Sequence, residues 1–271
     1  MSVDFRLGRY QDVLGDVTCD ALIFDAPYSD RTHVGHNDGA DTADAKRQAD
    51  YMQRTGKKVG QAAVKRSQIT YNSWGESDIT EFIDFWASRC RGWIVSITDH
   101  TLAPIWHREL ERTGRYVFAP LPYVAAAAGC RYLGDGPSNW TCWIIVGRPR
   151  NREYQQWRTL PGAYIVPPGE NDRAGGAAHG GTLIAGGKTL WLMRSLIEDY
   201  SRPGDRVCDP CAGGATTLIA ARQLGRVAIG SECDATTYAK AKARIDRAYT
   251  PDMFSARLAE NRAAAEADLP W

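Results

Sequence analysis

Apolar residues along the chain fall into two rhythms. Short runs bounded by polar or turn residues recur at 4–8 (DFRLG), 20–25 (DALIFD), 92–97 (GWIVSI), 115–119 (RYVFA), 141–147 (TCWIIVG), 206–210 (RVCDP) and 226–231 (RVAIGS). Runs of this length without strict alternation are what strands buried on both faces of a parallel sheet look like. Between them the spacing turns helical. Ile79, Phe82, Ile83, Trp86 and Cys90 share one face, with Asp78 and Glu81 as an N-cap and N3 pair at its start. Leu190, Met193, Leu196, Ile197 and Tyr200 predict a helix over 188–200 that Pro203-Gly204 stops. Residues 216–224 form a third helix. Tyr238, Ala241, Ile245 and Ala248 form a fourth behind the N-cap Asp234, and a last helix is expected over 251–267. Strands alternating with helices predict an α/β domain with a seven-stranded, mostly parallel sheet and helices on both faces.

Two stretches break the pattern. Residues 29–70 are polar and too long for an ordinary connection, which predicts an insert or lid. Residues 148–187 combine Arg148, Arg150, Arg152 and Arg158 with Tyr154, Trp157 and Tyr164 before a glycine-rich run. The formal charge of +1 hides this unevenness, since 26 arginines and 7 lysines are not spread evenly. Lys46, Arg47, Arg54, Lys57, Lys58, Lys65 and Arg66 face one acid, Asp50, whereas Asp30, Asp38, Asp41 and Asp44 precede them with only Arg31. Arginine forks suit phosphate and base edges, so these clusters carry more information than the sum.

Composition narrows the class. At 271 residues, with 44% hydrophobic and 24% charged, the chain holds enough apolar material for a full core and no run long enough to span a bilayer. Asp4 and Arg6 interrupt the place of a secretory signal, so a cytoplasmic protein is expected, with no membrane partner. Seven scattered cysteines, an odd number, point to reduced thiols. Cys208 and Cys211 spell CxxC, but no second pair follows at ligand spacing, and no metal site is expected.

Chemistry concentrates at strand ends. The run Leu22-Ile23-Phe24 ends in Asp25-Ala26-Pro27-Tyr28: an acid, a stiffened turn with a carbonyl to offer, and a flat ring. Carboxyl ends of strands in a doubly wound sheet are where ligands bind. A second run ends in Asp209 and enters the small-residue turn Cys211-Ala212-Gly213-Gly214-Ala215-Thr216, where backbone can approach a ligand at a helix start. About 20 residues on, the next strand ends in Glu232, where an acid commonly holds ribose hydroxyls.

Taken together, D-x-P-Y in the first half and D-P-x-x-G-x-x-T-T in the second resemble the β-class amino DNA methyltransferases, in which the catalytic half precedes the cofactor half. The resemblance takes in Gly8, the strand before Asp25, Lys188 ahead of its helix, the Asp209 turn, Glu232 and the helix of Tyr238. Ala26, Cys211 and Ala215 stand where the family has Pro, an aromatic and Gly. It implies a Rossmann-like methyltransferase fold with one antiparallel strand, S-adenosyl-L-methionine as cofactor, DNA as partner through a flipped adenine, and room for a homodimer. It implies that Asp25, Ala26, Pro27 and Tyr28 act on an exocyclic amine. Asp209, Cys211, Gly213, Ala215, Thr216, Glu232, Lys188 and Gly8 would then hold the cofactor, with Lys188 near its methionine end. Lys57, Lys58, Arg148, Arg150, Arg152 and Arg158 are the expected DNA contacts. On this plan 1–28 and 71–147 form the catalytic half, 29–70 the insert, 148–187 the target-recognition segment, 188–250 the cofactor half and 251–271 a helical extension.

The D-x-P-Y form favours adenine N6, with cytosine N4 as the alternative. A glycine turn with a strand-end acid also suits a dinucleotide-dependent oxidoreductase, which leaves the Asp25–Tyr28 turn without a task. A DNA-binding relative without activity is the third reading.

Overall fold

The computed structural model describes residues 3–33, 53, 54, 56, 72–125, 137, 139–166 and 187–246. Among these, strands β1 (Val3–Leu7), β2 (Cys19–Asp25), β3 (Cys90–Thr98), β4 (Tyr116–Val117), β5 (Leu121–Val124), β6 (Thr141–Arg148), β7 (Tyr164–Ile165), β8 (Arg206–Asp209) and β9 (Val227–Glu232) share one sheet. Its order is β1-β9-β8-β2-β3-β6-β5-β7, with β4 also paired to β6. The first five are mutually parallel. β6 is antiparallel to β3, β4 and β5, and β7 is parallel to β5, so β6 alone runs against the rest. The expected α/β class and single reversed strand are present, with nine strands in place of seven.

The two additional strands have a physical cause. β4 and β5 lie along the same partner with a register offset of one residue, Val117 opposite Gly147 and Leu121 opposite Ile144. They are two halves of one strand interrupted by a bulge. Pro120 and Pro122 break the apolar run there, so 115–119 reads as an isolated strand in the sequence although only 116–117 pair. β7 has two residues, too few for a pattern.

Helices α1 (Tyr10–Val13), α2 (Glu76–Trp86) and α3 (Ala103–Arg112) cover one face. There Leu14, Ile83, Trp86 and Trp106 pack onto Leu22, Phe24, Ile94, Ile145 and Ile229. A short helix, α4 (Arg152–Gln155), follows β6. On the other face α5 (Leu190–Tyr200), α6 (Thr216–Gln223) and α7 (Ala235–Asp246) bury Leu196, Leu218 and Ala241 against Ile23, Val95, Ile97, Ile144 and Val146. Neighbouring residues of β2, β3, β6, β8 and β9 thus feed opposite cores, which is why these strands read as unbroken apolar runs.

The helix starts follow local chemistry. α2 begins one turn earlier than Asp78 suggests: Gly75 is the N-cap, and Asp78 is the N3 residue whose Oδ2 accepts from Gly75 N at 2.8 Å. Cys90, expected on that helix, opens β3. Thr189 caps α5 through Leu192 N, and Asp234 Oδ1 accepts from Thr237 N at the start of α7. The expected helix over 251–267, and Ala248, lie outside the described residues.

β8 passes to β9 through α6 on one face, and β2 to β3 through α2 on the other. The sheet therefore opens a crevice between the carboxyl ends of β8 and β2, the place where α/β sheets bind ligands. The approach of β9 to β8 beside it is tight: a Cβ on Gly230 would lie 2.6 Å from the Asp209 carbonyl oxygen and 3.0 Å from Leu218 Cδ2. Gly230→Ala is accordingly expected to destabilise the fold by about 2–3 kcal/mol, read by urea denaturation; a loss within about 0.5 kcal/mol would show that the strands part without cost.

Candidate active site

Five adjacent strands end at one edge with Gly8, Glu232, Asp209, Asp25 and Asp99, in that order from β1 to β3. Four are acids. Asp25 closes β2, opposite Ile97 of β3. Behind it Ala26 is buried among the aromatic residues of the α2–α3 core, which gives its methyl group a place. Tyr28 follows Pro27; its hydroxyl lies 3.3 Å from Cys142 Sγ on β6, and its carbonyl accepts from Trp74 N at 3.0 Å.

Lys188 reaches into this turn from the residue before the α5 cap. Its Nζ lies 2.7 Å from Asp25 Oδ2 and 4.8 Å from the centre of the Tyr28 ring. The sequence resemblance put Lys188 toward a cofactor's methionine end; the structure puts it on the Asp25 carboxylate. Its side chain is 7% exposed and that of Asp25 21%, so the pair sits largely out of water and joins two parts of the chain 163 residues apart.

Asp209 is buried, and its Oδ1 accepts from Cys211 N at 3.0 Å. Burial raises this carboxyl from the usual 3.8 to about 7; hydrogen bonds from Thr217 and Cys211 oppose the rise, and the charges of Asp25 and Glu232 add to it. Asp209 therefore shapes the turn from beneath. Gly213 takes φ 49° and Ala215 φ 60°, the one non-glycine residue with positive φ among the described residues. Ala215 is fully buried, so its methyl packing offsets the roughly 1 kcal/mol that left-handed backbone costs a residue with a Cβ. Arg244 of α7 donates to Gly214 O at 2.8 Å and Thr216 Oγ1 at 3.0 Å, holding the turn where α6 begins. Glu232 is half-buried, and its Oε1 accepts from Asp234 N at 2.7 Å. Gly8 N donates to Glu232 O at 2.9 Å, which places the end of β1 beside it.

Cys208 and Cys211 are free cysteines whose thiols burial pushes up, so both stay protonated. His33, five residues beyond Tyr28, is buried.

The arginines expected on DNA are not brought to this edge. Because β6 is reversed, it starts at the Asp25 end and delivers Arg148 at the opposite one: Trp143 faces Thr98, and Gly147 faces Ile94. Arg148 is thus four positions further down the sheet than Trp143's neighbour Ile144, roughly 13 Å along the strand, and points over Tyr116, 4.8 Å from its ring centre. Arg150 flanks the same ring at 5.4 Å and donates to Gly114 O. Arg152 begins α4, exposed, and Arg158 pairs with Asp199 at 3.0 Å near the end of α5. Lys57 and Lys58 lie outside the described residues.

One residue of the site went unread in the sequence. Asp99 follows β3 and gathers Ser29, Thr32, Thr101 and Leu102. Its signal was the same as that of Asp25 and Glu232, an acid closing an apolar run.

The architecture is that of solved methyltransferase structures. The M1.HpyAVI complex with SAM aligns with a TM-score of 0.58 at 17% identity, over 90% of this chain and 100% of that one. TTHA0409 of Thermus thermophilus, complexed with S-adenosyl-L-methionine, aligns at 0.53 and 17%, over 91% and 94%. The PvuII DNA methyltransferase, cytosine-N4-specific, aligns at 0.56 and 9%, over 96% and 91%. No curated protein sequence matches the chain. Residues 141–243, from the start of β6 into α7 and so including the Asp209 turn, Glu232 and Lys188, match the model of the DNA methylase family N6_N4_Mtase, and the fold around them is Rossmann-like, as in the solved methyltransferase structures.

Proposed function

We propose that this chain is a DNA methyltransferase that moves a methyl group from S-adenosyl-L-methionine to the exocyclic N6 of adenine. The observation that carries the reading is the Asp25–Tyr28 turn at the crevice between β2 and β8, across from the small-residue turn after Asp209. The family match leaves this turn outside its range, so the argument for it is geometric and chemical.

The residues present fit the cofactor. The carboxylates of Asp25 and Glu232 both push the Asp209 carboxyl up, so the edge carries crowded negative charge that a sulfonium cation relieves. The 211–216 turn presents small side chains at a helix start, and Glu232 stands where ribose hydroxyls are taken. When bound, S-adenosyl-L-methionine supplies a methyl group activated by its sulfonium. The chain supplies position and hydrogen bonds. An exocyclic amine is a weak nucleophile because its lone pair is shared with the ring. Asp25 accepts one of its N–H groups and the Ala26 carbonyl the other, which localises the lone pair on nitrogen. Tyr28 stacks on the base once it has left the duplex, and Pro27 keeps ring and acid in fixed relation. Lys188 holds Asp25 in place.

Cytosine N4 stays as the second reading, favoured by the PvuII likeness. Incubation with radiolabelled S-adenosyl-L-methionine and unmethylated genomic DNA, followed by digestion to nucleosides, decides. Label in N6-methyldeoxyadenosine is the expected result. Label in N4-methyldeoxycytidine moves the target, and cofactor binding without transfer leaves an inactive relative. A chain that does not bind the cofactor at all ends the methyltransferase reading.

This reading gives Arg148 and Arg150 no part in target contact, against their sequence pattern, because they sit around Tyr116 away from the crevice. The Arg148→Ala/Arg150→Ala variant should keep its DNA affinity within about twofold, with the salt dependence of binding unchanged. A loss of about tenfold with a shallower salt slope would put these arginines on the phosphate backbone.

A further inference from the structure

We propose that Asp99 is the positioning residue of the Asp25–Tyr28 turn, holding it through Ser29 and Thr32 against the start of α3. The inference rests on the methyltransferase reading for what the turn does, and on geometry alone for how it is held.

Asp99 stands two residues beyond Ile97, the partner of Asp25, so the two acids close neighbouring strands. Its two oxygens serve different elements. Oδ1 accepts from Thr101 N at 3.0 Å and Leu102 N at 2.9 Å, while the Asp99 carbonyl accepts from Ala103 N at 3.0 Å. This side is rooted in α3, whose Trp106 and Leu110 are fully buried. Oδ2 accepts from Ser29 N at 2.9 Å, Ser29 Oγ at 2.5 Å and Thr32 Oγ1 at 2.6 Å. All five contacts are donors, and only an acceptor-only group satisfies them together. An amide would turn its NH2 either toward α3, losing the Thr101 and Leu102 bonds, or toward the turn, where the two hydroxyls can accept but the Ser29 N–H is left facing a donor. Asp99 and Ser29 are 5% and 4% exposed, so water does not replace what is lost. Burial would raise the Asp99 carboxyl, but the hydrogen bonds from Ser29 and Thr32 and the Leu102 amide hold it below the usual range, so it stays ionised.

The residue fastened is the one directly after Tyr28. On the other side the Trp74 amide fixes the Tyr28 carbonyl. With both anchors, the chain leaving Pro27 has no freedom to carry ring and carboxylate apart. A displacement of about 1 Å at such a site costs on the order of a hundredfold in rate.

Asp99→Ala would strip acceptors from α3 as well and confound position with folding. Ser29→Ala/Thr32→Val removes only the two hydroxyl donors and keeps the α3 side. Hydrogen exchange should show residues 28–33 opening about tenfold faster or more, with β3 and α6 unchanged. In single-turnover assays methyl transfer should fall about tenfold to a hundredfold while cofactor affinity stays within about twofold. Ser29→Thr, which keeps a hydroxyl, should exchange and react like the wild type. Unchanged exchange at 28–33 overturns the proposal, and so does equal loosening of β3 and α6, which marks a general structural role. A fall in cofactor affinity matching the fall in rate does so as well. A wild type that transfers no methyl group to any DNA ends the methyltransferase reading instead, and the exchange result alone then decides about Asp99.

Discussion

Asp25→Asn is expected to lower methyl transfer by about three orders of magnitude while cofactor affinity changes little, because an amide cannot supply the charged acceptor that localises the amine lone pair. Asparagine also removes the charge that pairs with Lys188, but its side-chain oxygen can still accept from Lys188 Nζ, which alanine cannot. Asp25→Ala would take the carboxylate from Lys188 Nζ, 2.7 Å away and largely buried. Stripping one partner from a fully buried pair costs about 3–5 kcal/mol; with Asp25 a fifth exposed, about 2–3 kcal/mol is the reasonable loss. A dead Asp25→Ala enzyme would then report folding and chemistry at once. The pair Asp25→Ala/Lys188→Met separates them, since replacing both charges with apolar groups is often close to neutral. The double variant should regain most of the stability lost by the single one and none of the activity. Single-turnover transfer and urea denaturation measured on all three variants check this. Retained turnover in Asp25→Asn, within about tenfold of wild type, would remove Asp25 from the chemistry.

The sheet was legible in the sequence because its central strands are buried on both sides. Residues 20–25, 92–97, 141–147, 206–210 and 226–231 each lie within one residue of a strand at both ends or inside one. What was lost lay where local chemistry interrupts the run, at Pro120 and Pro122, or where the element is too short. Helix α3 carried its signal in Leu102, Trp106 and Leu110, spaced one turn apart, but Pro104 stands in its first turn and His107, Arg108 and Glu109 fill the space between the last two. The strand-end acids Asp25, Asp209 and Glu232 were legible because topology sends the ends of parallel strands to one edge. The ion pair of Asp25 with Lys188 was not, since nothing local marks a contact across 163 residues. The arginines after β6 show the converse. Their composition reads as a nucleic-acid surface, but one reversed strand decides at which edge the following chain emerges, and composition carries no direction.

The pH response of Asp209 follows from the same crowding of acids. Its carboxyl lies at about 7 in the folded chain against 3.8 for an unperturbed aspartate. Between these values the native state holds a proton that the unfolded chain has released. Stability from this group is therefore fully present below pH 4 and declines by about 1.4 kcal/mol per unit as pH rises, until it is gone near pH 7. The whole span is about 4 kcal/mol. Asp209→Asn keeps the acceptor for Cys211 N and never ionises. It should be more stable than wild type at pH 8 by an amount approaching that span, and the two should converge as pH falls toward 4. Urea denaturation across pH 4–8 measures the difference directly, and a gap that does not change with pH would show that Asp209 ionises as freely as an exposed acid. Cofactor binding tests the same charge from the other side. A sulfonium held at this edge would offset the charges of Asp25 and Glu232 that help keep Asp209 protonated, so binding should release a proton near pH 7, and affinity should rise with pH from 6 to 8 in the wild type. In the Asp209→Asn variant that rise should vanish, because the group whose proton is displaced is no longer there. Calorimetry in buffers of different ionisation enthalpy counts the proton. An equal pH dependence in both proteins would assign the linkage to another acid of the edge.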